Sequence, residues 1–439
     1  GTRVTDQRLT LTHGDREVIA YQPAPARRGH PPPPATEPPP PAHIESLEEL
    51  WLTGMHLQQY RHATRRPESY YREALRRDPG DSRCNTAMGE WHLRRGELAE
   101  AERHLRAALQ RLGRRNANPR DGEASYLLGV TLRLAGRTQE SDAAFGKALW
   151  NGAYGPSSYT ARAEIAAAED RAADALALLR RALEANATSS LARGLQAALR
   201  RRLGRSEDAR RMVEGMLAAD PLVVRARHEL ALLEADPGRL RGDAQTALDL
   251  AHDEARAGRI DEAVDALERA LEAGPAPGHR PLLEFTLGWL EARRGRTEAA
   301  RGPRRRGRDA APDHALPARL EEVAVLEWAM AEDPQDAHAP YYLGCLLYDR
   351  RRYEEAIALW RRSAALDPSF ATVHRNLGIA EFNARHRPDR ALAAYRRAHR
   401  ADPTDARVLY ELDQLRKRIG HSPADRLRAL ESERATVRV

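Results

Sequence analysis

The side chains best able to hold a metal or attack a substrate are sparse in this chain, and their spacing works against both. The histidine pair His56 and His62 lies six positions apart, so the rings do not share a helix face, which needs a separation of three or four. Cys84 and Cys345 are the two cysteines. With no second thiol near either, there is no Cys-x-x-Cys pair and no disulfide framework, which fits a reducing, cytoplasmic setting. The sequence holds no Gly-x-x-x-x-Gly-Lys phosphate loop, no Gly-x-Gly-x-x-Gly after a strand, no Gly-x-Ser-x-Gly elbow and no His-Glu-x-x-His helix. Carboxylates are plentiful but dispersed, so no acid and base pair stands out, and neither a cofactor nor a metal is expected. The remaining chemistry is recognition. Trp51, His56, Tyr60, Arg61, Tyr70 and Tyr71 form an aromatic and cationic cluster, and a long polar loop carrying Arg115, Asn116 and Asn118 is placed to reach toward it.

Charge sharpens that reading. The formal net charge is +7, with Lys147 and Lys417 the only lysines, and acids alternate with the arginines throughout, as in Arg351-Arg352-Tyr353-Glu354-Glu355. Mixing of this kind describes solvated helix faces with local ion pairs rather than one basic face tracking phosphates, which makes nucleic-acid binding through arginine clusters the lesser reading. The composition, rich in Ala and Arg and poor in Lys, suggests a bacterial genome of high GC content. No run of apolar residues approaches the length of a membrane span.

The elements that must position these residues come from a repeat. Tyr342-Leu343-Gly344 with Tyr353, Ala356 and Asp367-Pro368 recurs 34 positions later as Asn376-Leu377-Gly378 with Ala391, Tyr395, Ala398 and Asp402-Pro403. Earlier copies centre on Met88-Gly89, Leu128-Gly129, Gly204 and Gly258. One such helical hairpin is too small to bury its apolar side, so it stacks on its neighbours. An all-α chain results: an α-solenoid of antiparallel helix hairpins over residues 44–432, divided into 44–276, a degenerate stretch 277–335 and the well-matched 336–432, with a tail at 433–439. Before it, 1–22 alternate like a β-hairpin and 23–43 read as a Pro-rich linker. Within the degenerate stretch, Gly302-Pro303 and the arginines around it oppose a helix, so 296–316 is predicted to be loop-like. The first helix is predicted from Ser46 to about Arg65, with Pro67 starting its partner.

These motifs resemble the tetratricopeptide repeat family. That resemblance implies a right-handed superhelix whose concave face binds protein or peptide. Carried onto the two best-matched repeats, the family's ligand-facing positions are His338, Tyr341, Cys345 and Tyr348, then Thr372, Arg375, Ile379 and Phe382, with Asn376 standing once where a carboxylate clamp would want it but without the matching lysine. The tyrosines among them could equally be packing residues. The order of β segment, proline spacer and Arg-rich array is also similar to large bacterial proteins in which a β-sandwich domain, of the kind found in sugar-active enzymes, precedes the repeats. The chain is therefore expected to be a non-catalytic scaffold for a protein or peptide partner, or for its own upstream β domain. The alternative is an accessory or dimerisation array of a bacterial carbohydrate-active enzyme.

Overall fold

A computed structural model describes residues 4–24, 34, 36–60, 62, 64–234 and 244–433. Five helix pairs come first: α1 (Leu47–Tyr60) with α2 (Pro67–Arg77), α3 (Ser82–Arg94) with α4 (Leu98–Leu112), α5 (Glu123–Leu134) with α6 (Thr138–Ala148), α7 (Gly155–Ala168) with α8 (Ala172–Ala185), and α9 (Ser190–Arg202) with α10 (Ser206–Ala219). A single helix, α11 (Val224–Glu234), packs on α9 and α10. The array resumes with α12 (Ala244–Arg256) and α13 (Ile260–Glu272), then α14 (Arg280–Arg293) and α15 (Thr297–Asp309), and a second single helix, α16 (Glu321–Glu332). It ends with α17 (His338–Asp349) and α18 (Tyr353–Leu366), α19 (Ala371–Asn383) and α20 (Pro388–Ala401), α21 (Ala406–Arg418) and α22 (Pro423–Glu433). The fold is an all-α solenoid of stacked hairpins.

Several hairpins are closed by a glycine in the first helix and a bulky side chain 16 or 17 residues later. A Cβ on Gly89 would fall 2.5 Å from Leu105, on Gly129 2.6 Å from Phe145, on Gly344 2.5 Å from the Trp360 indole, and on Gly378 2.6 Å from Tyr395. The missing side chain lets the partner's ring lie on bare backbone, and Trp360 Nε1 completes the contact by donating to the Tyr341 carbonyl at 3.1 Å. The second helix of several pairs stops at Asp-Pro, where the Asp carboxylate accepts the amide two residues on, as in Gly80 N to Asp78 at 3.0 Å and Ser369 N to Asp367 at 2.9 Å.

Two expectations change. Residues 297–309 form α15 rather than a loop, because small residues occupy its packing side and its arginines are anchored. Ala300, Pro303 and Gly307 are buried, a Cβ on Gly307 would meet the Phe285 ring at 3.2 Å, Arg306 pairs with buried Glu284 at 2.8 Å and Arg304 with Asp333 at 2.9 Å. Only 310–320 remain without regular structure. The first helix ends at Tyr60, not near Arg65, as the His62 ring accepts the amides of Thr64 (3.3 Å) and Arg65 (3.1 Å) and reverses the chain. The N-terminal strands β1 (Leu9–His13) and β2 (Arg16–Tyr21) pair antiparallel, yet Leu9, Leu11, Val18, Ile19 and Tyr21 are all exposed, so the hairpin does not pack on the array. The end of the linker does: Tyr70 Oη donates to the Pro39 carbonyl at 2.9 Å and Arg77 to that of Ile44 at 2.6 Å.

Among the described residues no apolar cluster joins α11 to α12, and the contacts between them are ionic. Arg259, fully buried in the turn before α13, binds Glu229 of α11 on one side and Glu254 of α12 (2.7 Å) on the other. Arg201 of α9 reaches Glu229 and Glu262, both at 3.0 Å. Arg225 of α11 holds Asp253 (2.6 Å) and Glu254 (3.0 Å). Burial acts against the charge on Glu229, but Arg259 and Arg201 outweigh it and lower its pKa; Glu254 is buried more deeply and its pKa is raised despite Arg259 and Arg225. Beside this network Ala257 enters the apolar cluster of Ala163, Ala167 and Leu199, and a Cβ on Gly258 would strike Ala168 at 2.5 Å. The solenoid also meets itself further round: Arg352 donates to the Gly96 carbonyl at 3.2 Å, and Arg95 to that of Arg351 at 3.3 Å.

Gly344→Ala is expected to destabilise by about 1–3 kcal/mol through overpacking against Trp360, although Ala is ordinarily the better helix former by roughly 1 kcal/mol. Gly215→Ala, whose Cβ would have nothing nearer than 3.8 Å, is the control and should be neutral or stabilising in urea unfolding. Arg259→Met leaves Glu229 and Glu254 buried without their shared cation and should cost about 3–5 kcal/mol; an unchanged urea midpoint would mean the network carries no stability. His228 is fully buried with neither ring nitrogen hydrogen-bonded among the described residues. Burial pushes its pKa down to about 4, opposed by Glu229 and assisted by Arg259. A depressed folded pKa stabilises above the unfolded value of about 6.5 and loses that contribution as pH falls toward 4. Unfolding free energy should therefore drop between pH 7 and pH 4.5, and less so in His228→Phe.

Candidate functional site

The C-terminal candidates divide between packing and surface. Tyr341 is buried, its ring 4.7 Å from Phe370 and 5.4 Å from Tyr342. Burial raises its pKa far above the usual phenol range. Cys345 lies with it, and Asn376 Nδ2 approaches the Cys345 sulfur at 3.7 Å. His338 is half-buried between Phe370 (5.2 Å) and the Arg308 carbonyl, 2.6 Å from its Nδ1. Tyr348 stacks on Trp360 and Tyr353, at 5.1 and 4.9 Å. Arg375 already holds a carboxylate, forking onto Glu411 at 2.7 and 2.5 Å, while Tyr395 donates to the same group at 3.2 Å. Phe382 packs beside Tyr395 and shares with it, Ile379, Tyr410, Glu411 and Arg418 a groove of about 280 Å³, where Arg418 lies 5.9 Å over its ring.

The N-terminal candidates are not one patch. Tyr70 and Tyr71 belong to the core with Leu50, Leu57 and Met88, since Tyr71 fills the space over Gly54 and Tyr70 holds the linker. Trp51 is half-buried under the Arg83 guanidinium at 4.7 Å. His56 and Tyr60 stack at 4.6 Å on the exposed end of α1. Arg61 lies outside the described residues. Arg115, Asn116 and Asn118 are exposed in the 113–122 loop, and among the described residues no hydrogen bond joins that loop to Trp51, His56 or Tyr60.

A larger site lies where the two parts of the array face each other. A cavity of about 910 Å³ is lined from one side by Leu98, Val130 and Arg133 and from the other by His252, Trp289, Arg293, Leu320 and Val323, with Arg256, Arg319, Arg350 and Arg352 around it. Most of these arginines are matched: Arg133 to Glu164 at 2.8 Å, Arg319 to Asp249 at 2.8 Å, and Arg352 to Glu355 at 2.7 Å. Arg293 has no carboxylate partner among the described residues. Its guanidinium rests 4.8 Å over the Trp289 ring, and loss of water around it lowers its pKa with nothing opposing. Sequence reading missed this site because its walls are some 150 residues apart; the one local signal was Trp289 four residues before Arg293, which places ring and cation on one helix face. A second cluster, His228 with Glu229 and Glu254, has ligand atoms within 4.8 Å of one another, but Arg259 already supplies the cation there.

No described helix is long and apolar enough to cross a membrane. Among solved structures, the chain is similar to a tetratricopeptide repeat protein from Parabacteroides merdae ATCC 43184, with 17% identity, a TM-score of 0.34, and coverage of 68% of this chain and 98% of that one. It is also similar to the Naa15/Naa10 structure bound to HypK-THB, with 15% identity, a TM-score of 0.30, and coverage of 88% and 68%. A double mutant of MamA RS-1 matches at 18% identity and a TM-score of 0.26, over 44% of this chain and 96% of the other. The tetratricopeptide repeat model matches residues 86–158, 248–315, 323–369 and 341–406, more than half of the 439 residues, and with stacked hairpins closed by a Gly and ring pair, the chain belongs to the tetratricopeptide repeat family.

Proposed function

We propose that this protein is a non-catalytic scaffold that holds a protein partner through an acidic, partly apolar segment seated in the cavity between the two parts of the array. The observation that carries this reading is Arg293, a guanidinium without a carboxylate of its own on a wall that also offers Trp289, Leu320 and Val323. A carboxylate arriving there gains a charge-assisted, forked hydrogen bond in a partly water-excluded place, while neighbouring apolar side chains cover the indole. Nucleic acid is the poorer occupant, because the remaining arginines are committed to protein carboxylates and offer no continuous run of free charge. The groove around Phe382 supports a second contact on the same partner: Tyr410 is 62% exposed at its rim, and an exposed ring beside a groove of mixed apolar and polar lining suits an amphipathic anchoring side chain.

The probe is a fluorescein-labelled peptide of alternating glutamate and leucine, compared with its lysine and leucine counterpart by fluorescence anisotropy. The acidic peptide should bind and the basic one should not. Arg293→Ala should weaken binding by roughly tenfold to a hundredfold, since a hydrogen bond to a charged group contributes about 1.5–3 kcal/mol. Equal binding of both peptides, or undiminished binding by Arg293→Ala, would remove the cavity as the site. Phe382→Ala should weaken binding only if the second groove is engaged by the same ligand.

A further inference from the structure

The hairpin of α3 and α4 brings together three side chains whose chemistry suits a metal ion. His92 lies in the last turn of α3, and Glu100 and His104 stand four apart on α4 and so share a face. One ligand atom from each lies within 4.8 Å of the others. We propose that His92, Glu100 and His104 form a binding site for a zinc-like divalent transition ion, with a fourth position open to water or to a partner's side chain.

The outer contacts argue for this assignment. Asn85 is buried and its Nδ2 donates to the carbonyls of Pro79 and Asp81, both at 2.9 Å. Its Oδ1 must then be the atom facing His104, and that oxygen accepts from His104 Nδ1 at 2.8 Å. His92 Nδ1 stands 2.7 Å from Glu97, whose carboxylate also accepts from Arg95 at 2.9 Å and so acts as the acceptor toward the ring as well. Both imidazoles are thereby held with the proton on Nδ1 and the lone pair on Nε2. This is the tautomer a metal needs, fixed by the kind of carbonyl or carboxylate partner that orients ligating histidines. The rings lie nearly parallel with centroids 5.3 Å apart. Bonds of about 2.0–2.2 Å to nitrogen and oxygen then require the side chains to turn until both Nε2 lone pairs and the Glu100 carboxylate converge on one ion.

The place is already kept for a positive charge. Arg103 donates to Glu100 at 2.7 Å and to His104 Nε2 at 3.1 Å, so its guanidinium bridges two of the three ligands. Its side chain is 63% exposed, and it can swing into solvent when an ion takes over both contacts. The ion would also tie the two helices together beside the Arg95–Gly96 turn on which Arg352 closes the array.

The test uses untagged, full-length protein freed of metal with EDTA and titrated with zinc chloride against a chromophoric chelator. One equivalent of zinc should bind. His92→Ala and Glu100→Ala should each lower the affinity at least tenfold, whereas Arg103→Ala should raise it by removing the competing cation. Circular dichroism of the metal-free Glu100→Ala protein should match the parent, because Glu100 lies on the surface. No stoichiometric uptake, or uptake indifferent to both ligand substitutions, would overturn the assignment and leave the histidines as packing residues. Arg103→Ala binding no more tightly than the parent would also count against it.

Discussion

A stack of helical hairpins is continuous only while each hairpin finds another to lean on, and among the described residues no apolar cluster joins α11 to α12. There the interior is held by Arg259 and the carboxylates of Glu229 and Glu254, all withdrawn from water. An ion pair in such a place is a poor substitute for apolar packing in free energy, because desolvating both charges costs much of what their attraction returns. It differs from apolar packing in being intolerant of slippage: a guanidinium satisfied by two carboxylates from different helices has few acceptable positions. The relation between the first five pairs and the rest of the array is therefore set by directional bonds together with the packing of Ala257 and Gly258 on α7, and the cavity walls depend on it.

That constraint explains why the inner surface is so heavily charged. Arg201, Arg225, Arg256 and Arg319 extend the network outward from Arg259, each matched by an acid from another helix. The exception, Arg293, sits at the edge of this matched region and leans on an indole instead of an acid. An arginine with no carboxylate partner among the described residues, set where most of its neighbours are neutralised, produces a local field of one sign, strongest where protein excludes water. The recognition proposed for this protein thus rests on an imbalance within a largely balanced lattice of charge, rather than on a generally basic surface.

The same economy of contacts appears in the hairpins themselves. Where a repeat needs its helices close, a glycine removes the obstruction and a ring fills the space, as with Gly129 and Phe145 or Gly344 and Trp360. Where the second helix has lost its large residues, as in α15, the first helix supplies the ring: Phe285 packs over Gly307 and compensates for the small side chains opposite. A proline inside that helix is tolerated because the arginines flanking it are tied to Glu284 and Asp333.

The architecture was legible in the sequence because a helical hairpin is a local object: its glycine, its ring and its Asp-Pro stop all lie within 34 residues, and their spacing survives without knowledge of the rest. The same locality made Tyr70 and Tyr71 look like surface groups, since nothing nearby announces that a proline segment thirty residues earlier will cover one of them and Gly54 will admit the other. It also made α15 look impossible, because the contacts that rescue it come from α14 and from Asp333. What only the tertiary structure decided is everything that depends on the array curling back upon itself. Glu100 and His104 were readable as a pair, but the approach of His92 and the proton position set by Asn85 follow from the angle of one turn. The cavity around Arg293 follows from Gly96 and Arg352 meeting across more than 250 residues, and a period repeated along a chain carries no record of where its successive turns will touch.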